Sequence, residues 1–214
     1  MKNWFDFYDS LKNTYGAEPE HKIIEYIDLI EKGKVLDLGV GTGRNSFFLS
    51  ALGYEVEGVD ISKENITSYL NKAKNLGLDL KGTVMDIKNF EIKENEYSLI
   101  IVSWVLNFFR KSEIDIIIIE KIKKGLKKDG IVYFSAFSIL DDFYIKNLDR
   151  FCGEENTLYF EEYKTYRYYY SSKDEILNYF NSLETISIKT GMELDIDEKI
   201  EKHYHHTIEY IGKK

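Results

Sequence analysis

The chain has 214 residues, 43% of them hydrophobic and 31% charged, with a net charge of -8. These values fit one globular domain and argue against a nucleic-acid grip, which draws its strength from neutralised phosphates. A single cysteine, Cys152, excludes an intrachain disulfide and fits a reducing, cytoplasmic setting. The opening Met-Lys-Asn-Trp-Phe-Asp has no apolar run of signal-peptide type, and no apolar stretch is long enough to span a bilayer.

In chain order, an aromatic segment carrying Tyr8 and Tyr15 comes first. A helix is expected over residues 20–30, after the only proline, Pro19. Residues 34–38 are short and apolar, as a strand requires. Residues 45–52 have helical spacing, with Phe47, Phe48 and Leu52 apolar. A strand over 54–59 precedes a helix from a Ser62 cap to about residue 76. Residues 80–85 and 97–105 read as strands, the second buried on both faces because Leu99 to Val102 is unbroken apolar sequence. A helix over 113–126, a turn at Lys128-Asp129-Gly130 and a strand over 131–137 follow.

After this alternation the pattern changes. Residues 138–171 form an irregular insertion, rich in aromatics between Tyr159 and Tyr170. Strand-forming aromatics and a pocket wall both account for it, and the two readings are compatible. A helix over 172–180 and strands over 184–189 and 207–211 close the chain. Strand–helix alternation of this kind argues an α/β, doubly wound, mostly parallel sheet in a single domain. Residues 1–30 form its N-terminal cap.

Chemistry concentrates at three strand ends. The first strand runs through Asp37 into Gly39, Gly41 and Gly43, then into a helix beginning near Arg44. Glycines allow positive φ and close approach of a ligand to the backbone, and the helix start offers unpaired N–H groups. A dinucleotide turn has its third glycine one residue later, where Arg44 stands here, so a nicotinamide dehydrogenase is disfavoured. Asp37 would repel a pyrophosphate and attract a sulfonium or ammonium. Asp60 ends the second strand 21 residues after Gly39, a spacing suited to the hydroxyls of a ribose. Asp86 ends the third, placed to accept from an adenine amino group, with Ile61 and Ile87 against the ring faces. Ser103 and Trp104 end the fourth.

These motifs, Val-Leu-Asp-Leu-Gly-Val-Gly-Thr-Gly, Gly-Val-Asp60-Ile-Ser and Met-Asp86-Ile, resemble the class I S-adenosylmethionine-dependent methyltransferases over residues 30–135. The resemblance implies S-adenosyl-L-methionine as cofactor. It also implies a Rossmann-like, seven-stranded sheet with a last antiparallel strand. In such an enzyme the glycine turn underlies the methionine part, Asp60 holds the ribose and Asp86 the adenine. The run Leu-Asp-Leu-Gly-x-Gly-x-Gly-Arg44-Asn45-Ser46, with Gly53-Tyr54 after the helix, is similar to the tellurite-resistance methyltransferase group, which methylates small, soft nucleophiles. The segment His203-Tyr204-His205-His206 departs from that group's late basic segment.

Several expectations follow. The reaction is direct displacement at a sulfonium methyl onto a small-molecule acceptor, for which no protein nucleophile or metal is required. His205, His206 and Tyr166 are the candidates for a general base. Tyr8, Tyr15 and Arg44 are candidates for the cofactor carboxylate. Cys152 and the histidines read as structural rather than as nucleophile or metal ligands. No Asn-Pro-Pro-Tyr or Asp-Pro-Pro-Tyr follows the fourth strand, which again argues against a nucleic-acid acceptor. The alternative class is a cofactor-binding module that regulates a partner without catalysis. The acceptor and the oligomeric state are not written in the sequence.

Overall fold

The structure, a computed structural model, describes residues 18–195 and 203–214. Tyr8 and Tyr15 lie outside the described residues. One seven-stranded sheet has the order β3-β2-β1-β4-β5-β9-β8. The strands are β1 (Lys34–Leu38), β2 (Glu55–Asp60), β3 (Leu80–Val84), β4 (Tyr97–Ser103), β5 (Leu126–Phe137), β8 (Glu184–Asp195) and β9 (His203–Lys213). Strands β1 to β5 pair in parallel, whereas β9 runs antiparallel to both β5 and β8. A separate antiparallel hairpin, β6 (Thr157–Phe160) and β7 (Thr165–Tyr168), lies within the insertion.

Side chains alternate across the strands, so the sheet divides the interior into two cores. Leu36, Ile100, Val132, Phe134 and Ile208 belong to one, and Val35, Leu99, Ile101, Tyr133 and Ile211 to the other. The helices that cover the sheet follow from local sequence. Helix α1 is His21–Glu25 and α2 is Arg44–Ala51. Helix α3 (Lys63–Leu76) starts where the Ser62 hydroxyl accepts from the Asn65 N–H at 3.2 Å, and ends on Gly77 at φ 68°. Such a cap contributes about 1 kcal/mol. Ile66, Tyr69 and Ala73 fall on one face of α3 and are buried.

Four local expectations need correction. The helix over 20–30 is α1 followed by a 3₁₀ turn at Ile27–Leu29, because the tighter turn lets Ile30 drop into the core, where its carbonyl accepts from the Tyr54 hydroxyl. The helix over 113–126 is α4 (Lys111–Ile116), continuing as a π-helical turn over Ile117–Ile122 and a last turn over Lys123–Gly125. The wider turn places Ile117 and Ile122, five apart, on the same buried side. The expected turn at residues 128–130 is a bulge inside β5: pairing with β4 steps from Tyr97↔Leu126 to Leu99↔Ile131. Asp129 there takes φ 62°, and its N–H bonds the Lys214 carbonyl at 2.9 Å. The two closing strands are about twice the expected length, so the His203–His206 segment lies within β9 rather than before it.

The insertion is built as α5 (Asp142–Lys146), a 3₁₀ turn at Leu148–Arg150 and the β6–β7 hairpin, and α6 (Lys173–Tyr179) follows it. Tyr168, Tyr169 and Tyr170 are fully buried, and Tyr166 is half-buried. No helix among the described residues is long and apolar enough to cross a membrane.

Candidate active site

The turn after β1 can be made only with glycine at its ends. Gly39 has φ 72°, and a Cβ there would sit 2.5 Å from Cγ2 of Val105. Gly43, at φ 86°, precedes α2, and a Cβ there would meet the Tyr69 ring at 2.5 Å. The N–H groups of Gly39 and Val40 donate to the Val59 carbonyl at 2.8 and 3.0 Å. The Gly41 N–H donates to Oδ2 of Asp60 at 2.9 Å. Oδ1 of Asp60 accepts from the Ser62 N–H at 2.8 Å and from the Asn65 amide at 3.3 Å. One carboxylate therefore ties the glycine turn to the start of α3.

Asp37 stands behind this turn. It is 3% exposed, and its Oδ2 accepts from the Ser46 hydroxyl at 2.7 Å. Burial pushes its carboxyl up to about 7, with the Ser46 hydrogen bond and the Arg44 charge opposing. It lies outside the lining of the cavity described next.

Beyond the strand ends lies a cavity of about 620 Å³. Gly39, Asp60, Ile61, Asp86, Ile87 and Ser103 line it, and Tyr166 joins them from the hairpin. Gly41, Gly43 and Arg44 do not. Ile61 is 72% exposed, an apolar side chain left open beside Asp60. Asp86 turns Oδ1 to the Lys88 N–H at 2.9 Å. The Lys88 ammonium lies 3.6 Å from Asp86 and 2.9 Å from Glu113. Sequence reasoning missed Lys88 and Glu113, together with the apolar wall of Val105, Phe108 and Phe109. Their elements were legible, but which of their faces meets the cavity was not.

A second pocket of about 320 Å³ shares Trp104 with the first. Between the two stands Glu20. Its Oε1 accepts from the Ser103 hydroxyl at 2.6 Å, from the Trp104 indole N–H at 2.8 Å, and from Arg44. Trp104 holds a left-handed φ of 57° and stacks on Phe137 at 4.9 Å. Phe137 in turn meets the His205 ring at 4.5 Å.

His205 and His206 part company, as neighbours on a strand must. The His205 ring lines the second pocket, and its Nδ1 pairs with Oδ2 of Asp141 at 2.7 Å. Because a carboxylate only accepts, Nδ1 carries the proton. Asp141 is fully buried; it also accepts from the His206 backbone N–H at 3.1 Å and caps α5 through the Phe143 N–H at 2.8 Å. The His206 ring pairs with the Ser138 hydroxyl at 2.7 Å. Three candidate bases thus divide: Tyr166 in the first pocket, His205 in the second, His206 in neither. Asp141 and Glu193, opposite His205 in the β8–β9 ladder, were not found in the sequence, because only strand register reveals them. Glu20 was read merely as a helix start. Cys152 is exposed. Among the described residues no group of three or more His, Cys, Asp or Glu side chains is arranged for a metal ion.

The sheet order, with an antiparallel strand set between β5 and β8, and a cavity beyond the ends of β1, β2 and β4, defines the class I methyltransferase architecture. The crystal structure of TehB from Haemophilus influenzae superposes with a TM-score of 0.76, at 24% identity, over 97% of this chain and 66% of that one. A methyltransferase structure from Methanosarcina mazei gives 0.73 at 20% identity, covering 92% of this chain and 99% of its own. The family model for tellurite resistance protein TehB matches residues 4–180, and the chain belongs to that family. A probable S-adenosyl-L-methionine-dependent methyltransferase TehB of Haemophilus influenzae is 32% identical over 138 residues, 64% of this chain and 46% of its own length. The chain spans about half the length of that relative. An uncharacterized methyltransferase of Staphylococcus carnosus is 23% identical over 93% of this chain and 92% of its own. Family and fold imply S-adenosyl-L-methionine as the cofactor.

Proposed function

We propose that the chain is an S-adenosylmethionine-dependent methyltransferase acting on a small-molecule acceptor. The observation that carries the reading is Asp60 and Asp86, at the ends of adjacent strands, lining one cavity with Gly39, the first glycine of the turn after β1. The residues present fit the cofactor. A volume of about 620 Å³ is of the size that takes a nucleoside-bearing ligand. Asp60 and Asp86 supply acceptors for ribose hydroxyls and an adenine amino group, and the exposed Ile61 and the largely buried Ile87, both lining the cavity, supply apolar surface for the base. Arg44, paired with Glu20 beside Ser103, is offered as the cation for the cofactor carboxylate.

When bound, the cofactor supplies an activated methyl on a sulfonium, open to direct displacement. The protein's share is placement and exclusion of water. Trp104 lines both pockets and would stand between their occupants. His205, its Nδ1–H held by Asp141, presents an imidazole of defined tautomer in the acceptor pocket. The regulatory-module alternative gains no support from a pair of adjoining pockets with an oriented histidine. The test is calorimetry with S-adenosylmethionine: micromolar binding that weakens about thirtyfold in Asp60→Ala is expected. Absence of binding by the intact chain would overturn the reading.

A further inference from the structure

The larger cavity takes its walls from two parts of the chain. The strand ends give it the carboxylates Asp60 and Asp86, which only accept hydrogen bonds. An adenosine asks for more than acceptors, because the ring nitrogens of its base accept and need a donor. The side-chain donors on the strand side are spent. The Ser103 hydroxyl and the Trp104 indole both donate to Glu20, at 2.6 and 2.8 Å. The Lys88 ammonium lies between Asp86 and Glu113. On the hairpin the Thr165 hydroxyl donates to the Tyr166 carbonyl at 3.3 Å. Among the described residues of the lining, that leaves the Lys164 ammonium and the Tyr166 hydroxyl without a protein partner. Lys164 is exposed in the hairpin turn, whereas Tyr166 is half-buried.

Tyr166 is also held in place. Its ring meets Tyr159, its partner across the hairpin, at 4.9 Å, and the Arg110 guanidinium at 5.2 Å. Glu154 pins Arg110, accepting from its Nε at 2.6 Å. Strand β7 is fastened to the sheet by Asn107, which is 1% exposed. The Asn107 amide donates to the Tyr168 carbonyl at 2.6 Å, and its Oδ1 accepts from the Phe137 N–H at 3.2 Å. Contacts also lead from Tyr166 toward Asp86. The Arg110 N–H donates to Glu113 at 3.0 Å, and Glu113 pairs with Lys88 beside Asp86. Tyr166 is thereby linked to the end of the cavity where the base would lie.

We propose that Tyr166 is a cofactor-binding residue, its hydroxyl donating to an acceptor atom of the adenosine half, with Arg110 as the residue that positions its ring. This rests on the methyltransferase reading and deepens it: the aromatic insertion closes the cofactor site that the strand ends begin. Strand ends accept and the hairpin donates, so the two walls together match a base that carries both kinds of group. A hydroxyl engaged in this way keeps its proton, and Tyr166 is then no base for the acceptor.

The experiment titrates the full chain by calorimetry with S-adenosylhomocysteine and with methylthioadenosine, which keeps the adenosine half and lacks the amino-acid part. Tyr166→Phe is expected to weaken both about fivefold, the loss of one hydrogen bond, and to leave the ratio of the two affinities unchanged. Because the hydroxyl bonds no described protein group, the unliganded variant should melt with the wild type. Arg110→Ala should weaken both ligands about twofold alone and not at all beside Tyr166→Phe, since it acts through that hydroxyl. Unaltered affinity in Tyr166→Phe overturns the proposal. So does a loss confined to S-adenosylhomocysteine, which would put the hydroxyl on the amino-acid part. A lowered melting temperature of unliganded Tyr166→Phe overturns it too, by giving the hydroxyl a structural task. Equal effects of Arg110→Ala in both backgrounds overturn the positioning role of Arg110. Failure of the wild-type chain to bind S-adenosylhomocysteine would instead sink the methyltransferase reading.

Discussion

The two pockets meet at Trp104 yet are assembled differently. The larger is made mainly by turns that follow β1, β2, β3 and β4, each contributing from one to several residues near its strand end. The smaller draws Glu20, Asp141, Glu193 and His205 from places far apart in the chain, brought together by sheet register and one helix cap. The first is a site written in short motifs, and a change in one motif damages it. The second is written in pairings, so a single side chain such as Glu193 can be altered without rebuilding a turn. On the proposed function, that division would let one cofactor site serve different acceptors.

The comparison can be broken most forcibly at the glycine turn. Gly39→Ala places a Cβ at a left-handed φ and against Val105. A loss of about 3 kcal/mol in unfolding free energy, with cofactor binding abolished, is expected. Chemical denaturation and calorimetry on the same preparation check it; wild-type behaviour would show that the turn tolerates a side chain. Asp141→Asn comes next. It removes the charged acceptor of three hydrogen bonds and should cost about 2 kcal/mol of stability while leaving the cofactor dissociation constant as it was. A parallel loss of cofactor affinity would mean that the two pockets are not separable.

Asp37 gives a pH signature. Its carboxyl is raised in the fold from 3.8 to about 7, so the folded chain holds a proton that the unfolded chain releases. This contribution to stability is fully present below about pH 4 and is lost as pH rises to about 7. Asp37→Asn, neutral throughout, should flatten that part of the denaturation-versus-pH curve, and an unchanged slope would refute the assignment. The smallest effect belongs to Lys88→Ala. Its ion pairs with Asp86 and Glu113 are partly exposed, so stability should stay within about 0.5 kcal/mol by thermal melting.

The same contrast explains what could be read from the sequence. The strand-end places of Gly39, Asp60 and Asp86 beside one cavity were legible because strand ends and glycines are local signals, and the sheet's alternation followed from apolar period. The long β8 and β9 were not. Their outer parts, around Met192 and Tyr204, are polar or exposed and carry no apolar alternation to announce a strand. Asp141 carries no local signal of its bond to His205, which crosses 64 residues. The π-helical turn at Ile117–Ile122 hid within a sequence equally suited to an ordinary helix.

The place of β9 has a consequence for how the molecule is made. Last among the strands in sequence, it lies between β5 and β8, and β8 has no other partner in the sheet. Strands β1 to β5 can zip together in parallel from sequence already in hand, with the larger cavity at their ends. The edge beyond β5 must wait for residues near the end of the chain, and closing it brings partners of large sequence separation together late, at a cost in loop entropy. A growing chain therefore shapes the larger cavity first, and the side that carries the smaller pocket is built later.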